Sequence, residues 1–323
     1  MRVFRNVDDP EIITPVILTF GVFDGLHLGH QLIMQRVVER AHASGLPATV
    51  ITFDPHPRAV LRPETAPPLL QTFEQKMEGL EQLGINQTVV LNFSPSLASL
   101  SAQEFLQRYV YGRLDAREVY LGHGFAFGHS REGHFVLLKR VSSELGRIAE
   151  EIPEVLLRGH RVSSTMIRRL LSHGRVNLAR RMLGRPYSIE GEVVEGHRVG
   201  KERLTFATAN LRPENFVLPE NGVYITLTTI RNTFHRSITN IGHRPTFGNN
   251  EDISIETHIL DYDETLYGEK IRVFFLYRLR GEKKFKSVDE LQAQIERDYS
   301  RATGYYQRRA VNNAITHIVS EPE

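Results

Sequence analysis

The chain is 323 residues long, 41% hydrophobic and 24% charged, an ordinary globular mixture that excludes wholesale disorder and suits about two domains of ~150 residues. Lys plus Arg number 40 against 38 Asp plus Glu, a formal net charge of +2, so overall charge gives no reason to expect nucleic acid or an anionic membrane as partner. The absence of cysteine excludes disulfides, thiolate metal sites, iron–sulfur clusters and a cysteine nucleophile. No apolar run approaches the ~18 residues needed to span a bilayer. The opening MRVFRNVDDP lacks the apolar core and small-residue cleavage site of a secretory signal. A soluble, cytoplasmic protein is expected.

The first half alternates short apolar runs with helical patterns. Val16 to Phe20 is β-branched and apolar and reads as a buried strand. Leu28 to Ala43, apolar at 32, 33, 37 and 38, reads as a helix ending near Ser44-Gly45. Ala48 to Phe53 is a second buried strand. A helix over Lys76–Leu83, a strand over Gln87–Phe93, a helix over Gln103–Tyr111 and a strand over Glu118–Gly122 follow. Strands apolar on both faces, alternating with helices, indicate a parallel sheet covered on both sides. After Leu183-Gly184-Arg185-Pro186 the pattern changes to period two. Strands are expected at Ser188–Val194, Leu204–Leu211, Gly222–Ile230, His235–Ile241, Ser254–Leu260 and Ile271–Arg280, which suggests an antiparallel barrel. Ser287-Val288-Asp289-Glu290 opens a last helix by the Ser-x-x-Glu capping pattern. The domain boundary is placed near residue 186, giving segments 1–186 and 187–323.

Gly21-Val22-Phe23-Asp24-Gly25-Leu26-His27-Leu28-Gly29-His30 follows the first strand and opens the first long helix. Two histidines three apart share one helix face, and glycines allow backbone to approach a ligand. A helix N-terminus offers free N–H groups and a positive dipole end, so phosphate is the natural guest. Thr52-Phe53-Asp54-Pro55-His56-Pro57 places another histidine at a carboxyl end of the same sheet, where open α/β sheets bind ligands. Arg161-Val162-Ser163-Ser164-Thr165-Met166-Ile167-Arg168 starts a helix running to about His173, with Ser or Thr to cap it and Arg168 one turn on. Taken singly, each segment also reads as a plain turn or capped helix start. Zinc would need a third ligand at suitable spacing, which is missing. Neither a P-loop nor a completed Gly-x-Gly-x-x-Gly occurs.

The set Gly-x-Phe-Asp-Gly-x-His-x-Gly-His, Phe-Asp-Pro-His-Pro and Ser-Ser-Thr-x-Ile-Arg, in this order and spacing, resembles the adenylyltransferase half of the prokaryotic bifunctional riboflavin kinase/FMN adenylyltransferases (FAD synthetases), within the His-x-Gly-His nucleotidyltransferase superfamily. The second half resembles their kinase module through Ala207-Thr208-Ala209-Asn210-Leu211, Gly222-Val223-Tyr224, Asn240 to Phe247, Glu256-Thr257-His258, Leu266-Tyr267-Gly268 and Leu291-x-x-Gln294-Ile295-x-x-Asp298. The resemblance covers nearly the whole chain. It implies a Rossmann-like nucleotidyltransferase domain, then a six-stranded antiparallel β-barrel kinase domain with a C-terminal helix.

For the first half the resemblance implies attack of the FMN phosphate on the α-phosphorus of ATP, with pyrophosphate leaving. His27 and His30 would be catalytic, donating to phosphate oxygens as charge builds up. Gly21, Phe23, Asp24, Gly29, His56, Ser164, Thr165 and Arg168 would bind ATP and its phosphates, and Phe53 and Pro57 would meet the flavin. For the second half it implies transfer of the ATP γ-phosphate to the 5′-hydroxyl of riboflavin, with Glu256 as base. Period two puts Glu256 on the face of Ser254 and His258; alone, it reads as a solvent-facing strand residue. Thr208 and Asn210 would offer oxygens to Mg²⁺, and Arg244, Pro245 and Thr246 would form a loop beside the flavin. The implied partners are riboflavin, FMN and ATP, with FMN and FAD as products, no nucleic acid or membrane, and a monomer or weak homo-oligomer.

The chain departs from the family pattern at two places. Gly124 stands where Asp or Asn is usual. The run Gly200 to Asn210 is one residue longer than usual, with Thr205 for Gly and Ala207 for Pro. These departures leave two rivals: a monofunctional FMN adenylyltransferase with a degenerate kinase barrel, and a non-catalytic flavin-binding regulatory paralogue.

Overall fold

The computed structural model describes residues 1–195, 208–244 and 252–308. Its first unit, Met1–Ser164, is built on six strands: β1 (Arg2–Phe4), β2 (Ile17–Phe20), β3 (Ala48–Asp54), β4 (Gln87–Asn92), β5 (Glu118–Gly122) and β6 (Ile148–Ile152). All pair in parallel, in the order β1-β4-β3-β2-β5-β6. The helices between them are α1 (Leu28–Ser44), α2 (Pro57–Leu61), α3 (Phe73–Gln82), α4 (Pro95–Ala98), α5 (Ala102–Phe105) and α6 (Phe135–Glu144). A small hairpin, β7 (Leu156–Leu157) with β8 (His160–Arg161), closes the unit.

The central strands read as continuous apolar runs because both faces are buried. Leu18 and Phe20 pack with Phe105, Phe127 and Leu138 on one side of the sheet. Ile17 and Val50 pack with Ile33, Met34 and Val37 of α1 and with Met77 and Leu80 of α3 on the other. Helix α1 stops at Gly45, which at φ 67° supplies the left-handed cap a side chain would resist. From β2 the chain steps to β3 on one side, and later to β5 on the other. The carboxyl ends of β2 and β5 therefore flank the point where the winding reverses, the usual ligand crevice of such sheets.

The second unit, Thr165–Glu323, takes in most of α7 (Ser164–Leu171), then α8 (Val176–Leu183) and the strands β9 (Tyr187–Val194), β10 (Thr208–Pro213), β11 (Gly222–Ile230), β12 (Thr233–Arg244), β13 (Asp252–Ile259) and β14 (Lys270–Arg280). These strands close into an antiparallel barrel, β10-β13-β12-β11-β14-β9. The two units meet at Ser164/Thr165, upstream of the junction expected near 186. Helix α8 packs on β9 and β14 and buries Val176, Ala179, Met182 and Leu183. Helix α9 (Val288–Tyr306) starts at its Ser287 cap, whose hydroxyl accepts from Glu290 N–H at 3.1 Å. Its Ala302 and Tyr306 cover Val223, Ile225 and Leu227 on the outside of β11. An ion pair from Arg280 to the buried Asp298, 2.8 Å long, ties α9 to β14.

The opposite face of β11 points into the barrel and carries hydroxyls. Thr226 Oγ1 lies 2.8 Å from both Ser237 Oγ and Thr239 Oγ1, Thr228 lies 2.8 Å from Ser237, and Thr239 lies 3.0 Å from Thr257. All five side chains are fully buried.

Strands β1, β6, β7 and β8 and helices α2, α4, α6 and α8 are additions to the expected elements. The expected helix at 76–83 begins earlier, because Thr72 and Gln75 form a reciprocal capping box. The expected helix at 103–111 begins at Ala102 and continues as π-helix over Leu106–Arg113. The residues Gly200 to Ala207, Pro245 and Thr246 lie outside the described residues.

Candidate active sites

In the first unit, β2 delivers the chain into a turn over 21–27 that α1 then leaves. A Cβ at Gly21 would stand 3.0 Å from the Phe23 ring, so a side chain there would press on that ring. Phe23, Gly25 and Leu26 all have positive φ, and each of the three is buried. Thr52 Oγ1 donates to Val22 O at 3.3 Å and Gln71 Nε2 donates to Phe23 O at 3.3 Å. Asp24 is buried, and its carboxylate accepts from Leu70 N–H at 3.0 and 3.2 Å. Ser164 Oγ donates to Asp24 O at 2.8 Å, bringing that residue to the turn.

His27 does not lie on the helix face with His30, as their spacing suggests. It is the N-cap of α1 in extended conformation, and its Nδ1 accepts from His30 N–H at 3.3 Å. The two rings nevertheless meet, stacked with centroids 3.7 Å apart, and Phe23 stands edge-on to His30 at 5.3 Å. Gly29 leaves room for this, since a Cβ there would lie 3.2 Å from the His27 ring. His56 repeats the arrangement at the end of β3. It caps α2, and its Nδ1 accepts from Arg58 N–H at 3.0 Å. An Nδ1 that accepts cannot carry the proton of a neutral ring. In both histidines the assigned proton therefore sits on Nε2, which is a donor.

Phe53 is half-buried and packs edge-on against Phe93 at 5.7 Å, while Pro57 is the first residue of α2. Thr165 and Arg168 stand further along α7, in the second unit. At the end of β5, exposed Gly124 adopts φ 70° and its N–H meets Glu151 Oε1 at 3.4 Å. Sequence reasoning missed Gln71, ahead of α3, which no local pattern marks. Burial holds the ammonium of Lys76 on α3 below the usual lysine range, while the charges of Asp24 and Asp54 pull it back up.

In the second unit, strand register assembles a polar row on the outside of the barrel. Asn210 of β10 and Asn240 of β12 both lie directly opposite Glu256 of β13, and Thr208 lies opposite His258. Directly opposed residues share a face at neighbouring distance. Ser254 Oγ donates to Glu256 Oε1 at 2.9 Å. The expected grouping of Glu256 with Ser254 and His258 agrees with this parity, since Ile255 and Thr257 are fully buried on the other face. Asn240 is the member that sequence reasoning missed, because only the register brings it beside Glu256. Arg244 ends β12. Among the described residues no group of three or more His, Asp or Glu side chains could hold a metal. None of the described helices is long and apolar enough to cross a membrane.

Residues 9–166 match the FAD synthetase family and residues 183–306 the riboflavin kinase family. A protein of Haemophilus influenzae, named bifunctional riboflavin kinase/FMN adenylyltransferase, is 33% identical over 95% of this chain and 99% of its own length. Proteins with the same name from Pseudomonas fluorescens and Bacillus subtilis are 36% and 34% identical, over 88% and 90% of this chain and 91% and 92% of theirs. Among solved structures, one described as a macrolide-efflux protein from Streptococcus pneumoniae superposes with a TM-score of 0.84 at 28% identity, covering 94% of this chain and 99% of that one.

Proposed function

The chain belongs to the family of bifunctional riboflavin kinase/FMN adenylyltransferases, and from that premise we propose how its residues divide the two reactions. It converts riboflavin to FMN with ATP, and FMN to FAD with a second ATP and release of pyrophosphate. We assign adenylyl transfer to segment 1–186 and phosphorylation of riboflavin to 187–323, an assignment supported by the family matches ending at 166 and beginning at 183.

For adenylyl transfer, a phosphate oxygen of FMN bonds to the α-phosphorus of ATP, and the bond to pyrophosphate breaks. Negative charge spreads over the transferring group, and no covalent enzyme intermediate is needed. The single observation that carries the assignment is the stacked histidine pair at the start of α1. His27 presents its Nε2 proton and His30 its ring beside the open N–H groups of the helix, a fixed set of donors toward phosphate oxygens. His56 presents Nε2 in the same sense from the neighbouring strand. Gly21, Phe23, Asp24 and Gly29 shape the turn. Ser164 holds that turn through Asp24 O; for Thr165 and Arg168, order in the family motif supports a phosphate role. Phe53 and Pro57 are assigned to the flavin.

For the kinase, Glu256 is the base for the 5′-hydroxyl of riboflavin, supported by its place in the row with Asn210 and Asn240. The hydroxyl of Thr208 and the carbonyl of Asn210 are hard, neutral oxygens on one face, which suits Mg²⁺ held mainly by substrate phosphates. When bound, Mg²⁺ supplies neutralisation of phosphate charge. Arg244, Pro245 and Thr246 keep the flavin-side role that the motif implies. The reading is tested with riboflavin, ATP and Mg²⁺, following FMN and FAD separately by chromatography. FMN appearing first and FAD second supports it. FAD formed only from supplied FMN would assign the barrel a silent role, and neither product would overturn both assignments.

A further inference from the structure

Side chains from four separate stretches hold the carbonyls of the turn before α1. Thr52 Oγ1 donates to Val22 O and Gln71 Nε2 donates to Phe23 O, both at 3.3 Å. Ser164 Oγ donates to Asp24 O at 2.8 Å, and Gln31 Nε2 donates to Leu26 O at 2.7 Å. A trans peptide is planar, with its C=O and N–H on opposite sides, and none of these four peptides is cis. Fixing the four oxygens therefore fixes the directions of the N–H groups of Phe23, Asp24, Gly25 and His27. An anion is drawn to N–H groups and repelled by carbonyl oxygens, so a peptide that flips exchanges attraction for repulsion.

Phe23 is where the backbone most needs holding. At φ 52° it occupies the left-handed region, which a bulky side chain disfavours. Thr52 pins the peptide before it and Gln71 the peptide after it. Next to Gln71, Leu70 N–H meets the Asp24 carboxylate at 3.0 and 3.2 Å, so one short stretch ahead of α3 holds both sides of the Phe23–Asp24 step. Gln71 is only 4% exposed, and its Oε1 is buried without a hydrogen-bond partner among the described residues. A buried acceptor left unpaired costs stability. What the amide adds over an apolar side chain of similar length is its N–H to Phe23 O.

We propose that Gln71 is a positioning residue for adenylyl transfer, its amide N–H locking the Phe23–Asp24 peptide so that the turn offers N–H groups rather than a carbonyl oxygen to phosphate. The proposal rests on reading that turn as the phosphate site. Gln71 acts through the backbone and needs no contact with substrate.

The test uses full-length Gln71→Met and Gln71→Glu, both close to glutamine in length, with FAD formation from FMN and ATP measured at varied ATP. Gln71→Met should lower kcat by about 10- to 100-fold and change KM for ATP by less than about threefold, because misaligned donors matter most as charge builds up in the transition state. Gln71→Glu supplies a rescue. Ionised, its carboxylate has no proton for Phe23 O; protonated, it donates an O–H. Burial raises the pH at which such a group ionises. Its rate relative to the parent should therefore rise by about fivefold or more from about pH 8.5 to about pH 6, while that of Gln71→Met stays flat. Asp24, His27 and His30 are common to all three chains and cancel in the ratio. Thermal unfolding at each pH and riboflavin phosphorylation by the same chains report folding; should Gln71→Met melt below the assay temperature, Gln71→Leu takes its place. A parental kcat in Gln71→Met, a loss carried by KM alone, or a flat ratio for Gln71→Glu would overturn the proposal. His30→Ala separates the two levels. If it spares FAD formation, the reading of the turn fails; if it abolishes FAD formation while Gln71→Met is silent, only the role of Gln71 falls.

Discussion

Replacing His27 by asparagine separates two jobs that one ring performs. As N-cap, His27 accepts the N–H of His30 through Nδ1; as proposed donor, it uses Nε2. Asparagine is among the best N-caps and can accept the same N–H, but it places no donor where Nε2 stands. Alanine loses both. Stacking on His30 at 3.7 Å is lost in either variant and cancels from the comparison. A good cap contributes about 1 kcal/mol, which for a unit the size of Met1–Ser164 is a melting shift of about 2–4 °C. One preorganised donor to a developing oxyanion is worth about 3 kcal/mol, roughly a hundredfold in rate. His27→Asn should therefore keep the cap yet form FAD from FMN about 10²-fold more slowly. His27→Ala should match that rate and melt about 2–4 °C lower. Differential scanning calorimetry and single-turnover chromatography read the two quantities independently, with riboflavin phosphorylation as the control. Parental FAD formation by His27→Asn would refute the reasoning, and His27 would be a cap alone.

In the barrel, Glu256→Gln keeps the row with Asn210 and Asn240 but removes the base, so riboflavin phosphorylation should fall by about 10²- to 10⁴-fold while FAD synthesis from FMN is unchanged; an unchanged kinase rate would make Glu256 a strand residue only. A fragment of residues 187–323 should fold and bind flavin by circular dichroism and fluorescence. A fragment of 165–323 should melt higher, because it retains the α8 side chains buried against β9 and β14; equal melting would mean that α8 adds nothing to the barrel. Asp298→Asn breaks a buried ion pair with Arg280 and should destabilise the second unit by about 3–5 kcal/mol in denaturant unfolding. A loss below about 1 kcal/mol would show that the pair is screened as at a surface.

What the sequence revealed, it revealed where local chemistry decides. The turn after β2 was legible because glycines, a short apolar strand and a following helix occur together, and Gly45 marked the end of α1. Strand β6 escaped because it is an edge strand, only partly buried, whose Ile-Ala-Glu-Glu-Ile has no continuous apolar run. Strand β1 is three residues at the other edge. The cap at His27 escaped because Ser, Thr, Asp and Asn dominate that position, and the spacing alone suggests a helical pair. Gln71 and Asn240 could not be found locally. Gln71 depends on the stretch before α3 folding back over a turn some fifty residues earlier, and Asn240 depends on the pairing of β12 with β13.

The barrel's inner hydroxyls bear on that pairing. Each of Thr226, Thr228, Ser237, Thr239 and Thr257 has one proton to give, and the partners lie on three different strands. Such a chain works like the teeth of a key. Sliding β13 by one residue against β12 would turn Thr257 outward and draw Glu256 into the interior, where no partner of suitable shape awaits it. Thr239 opposite Thr257 and Asn240 opposite Glu256 are successive rungs of one ladder. The hydroxyl contact on the inside thus sets which residues stand together on the outside, and the alignment of the proposed base is fixed from behind, by groups that no substrate touches.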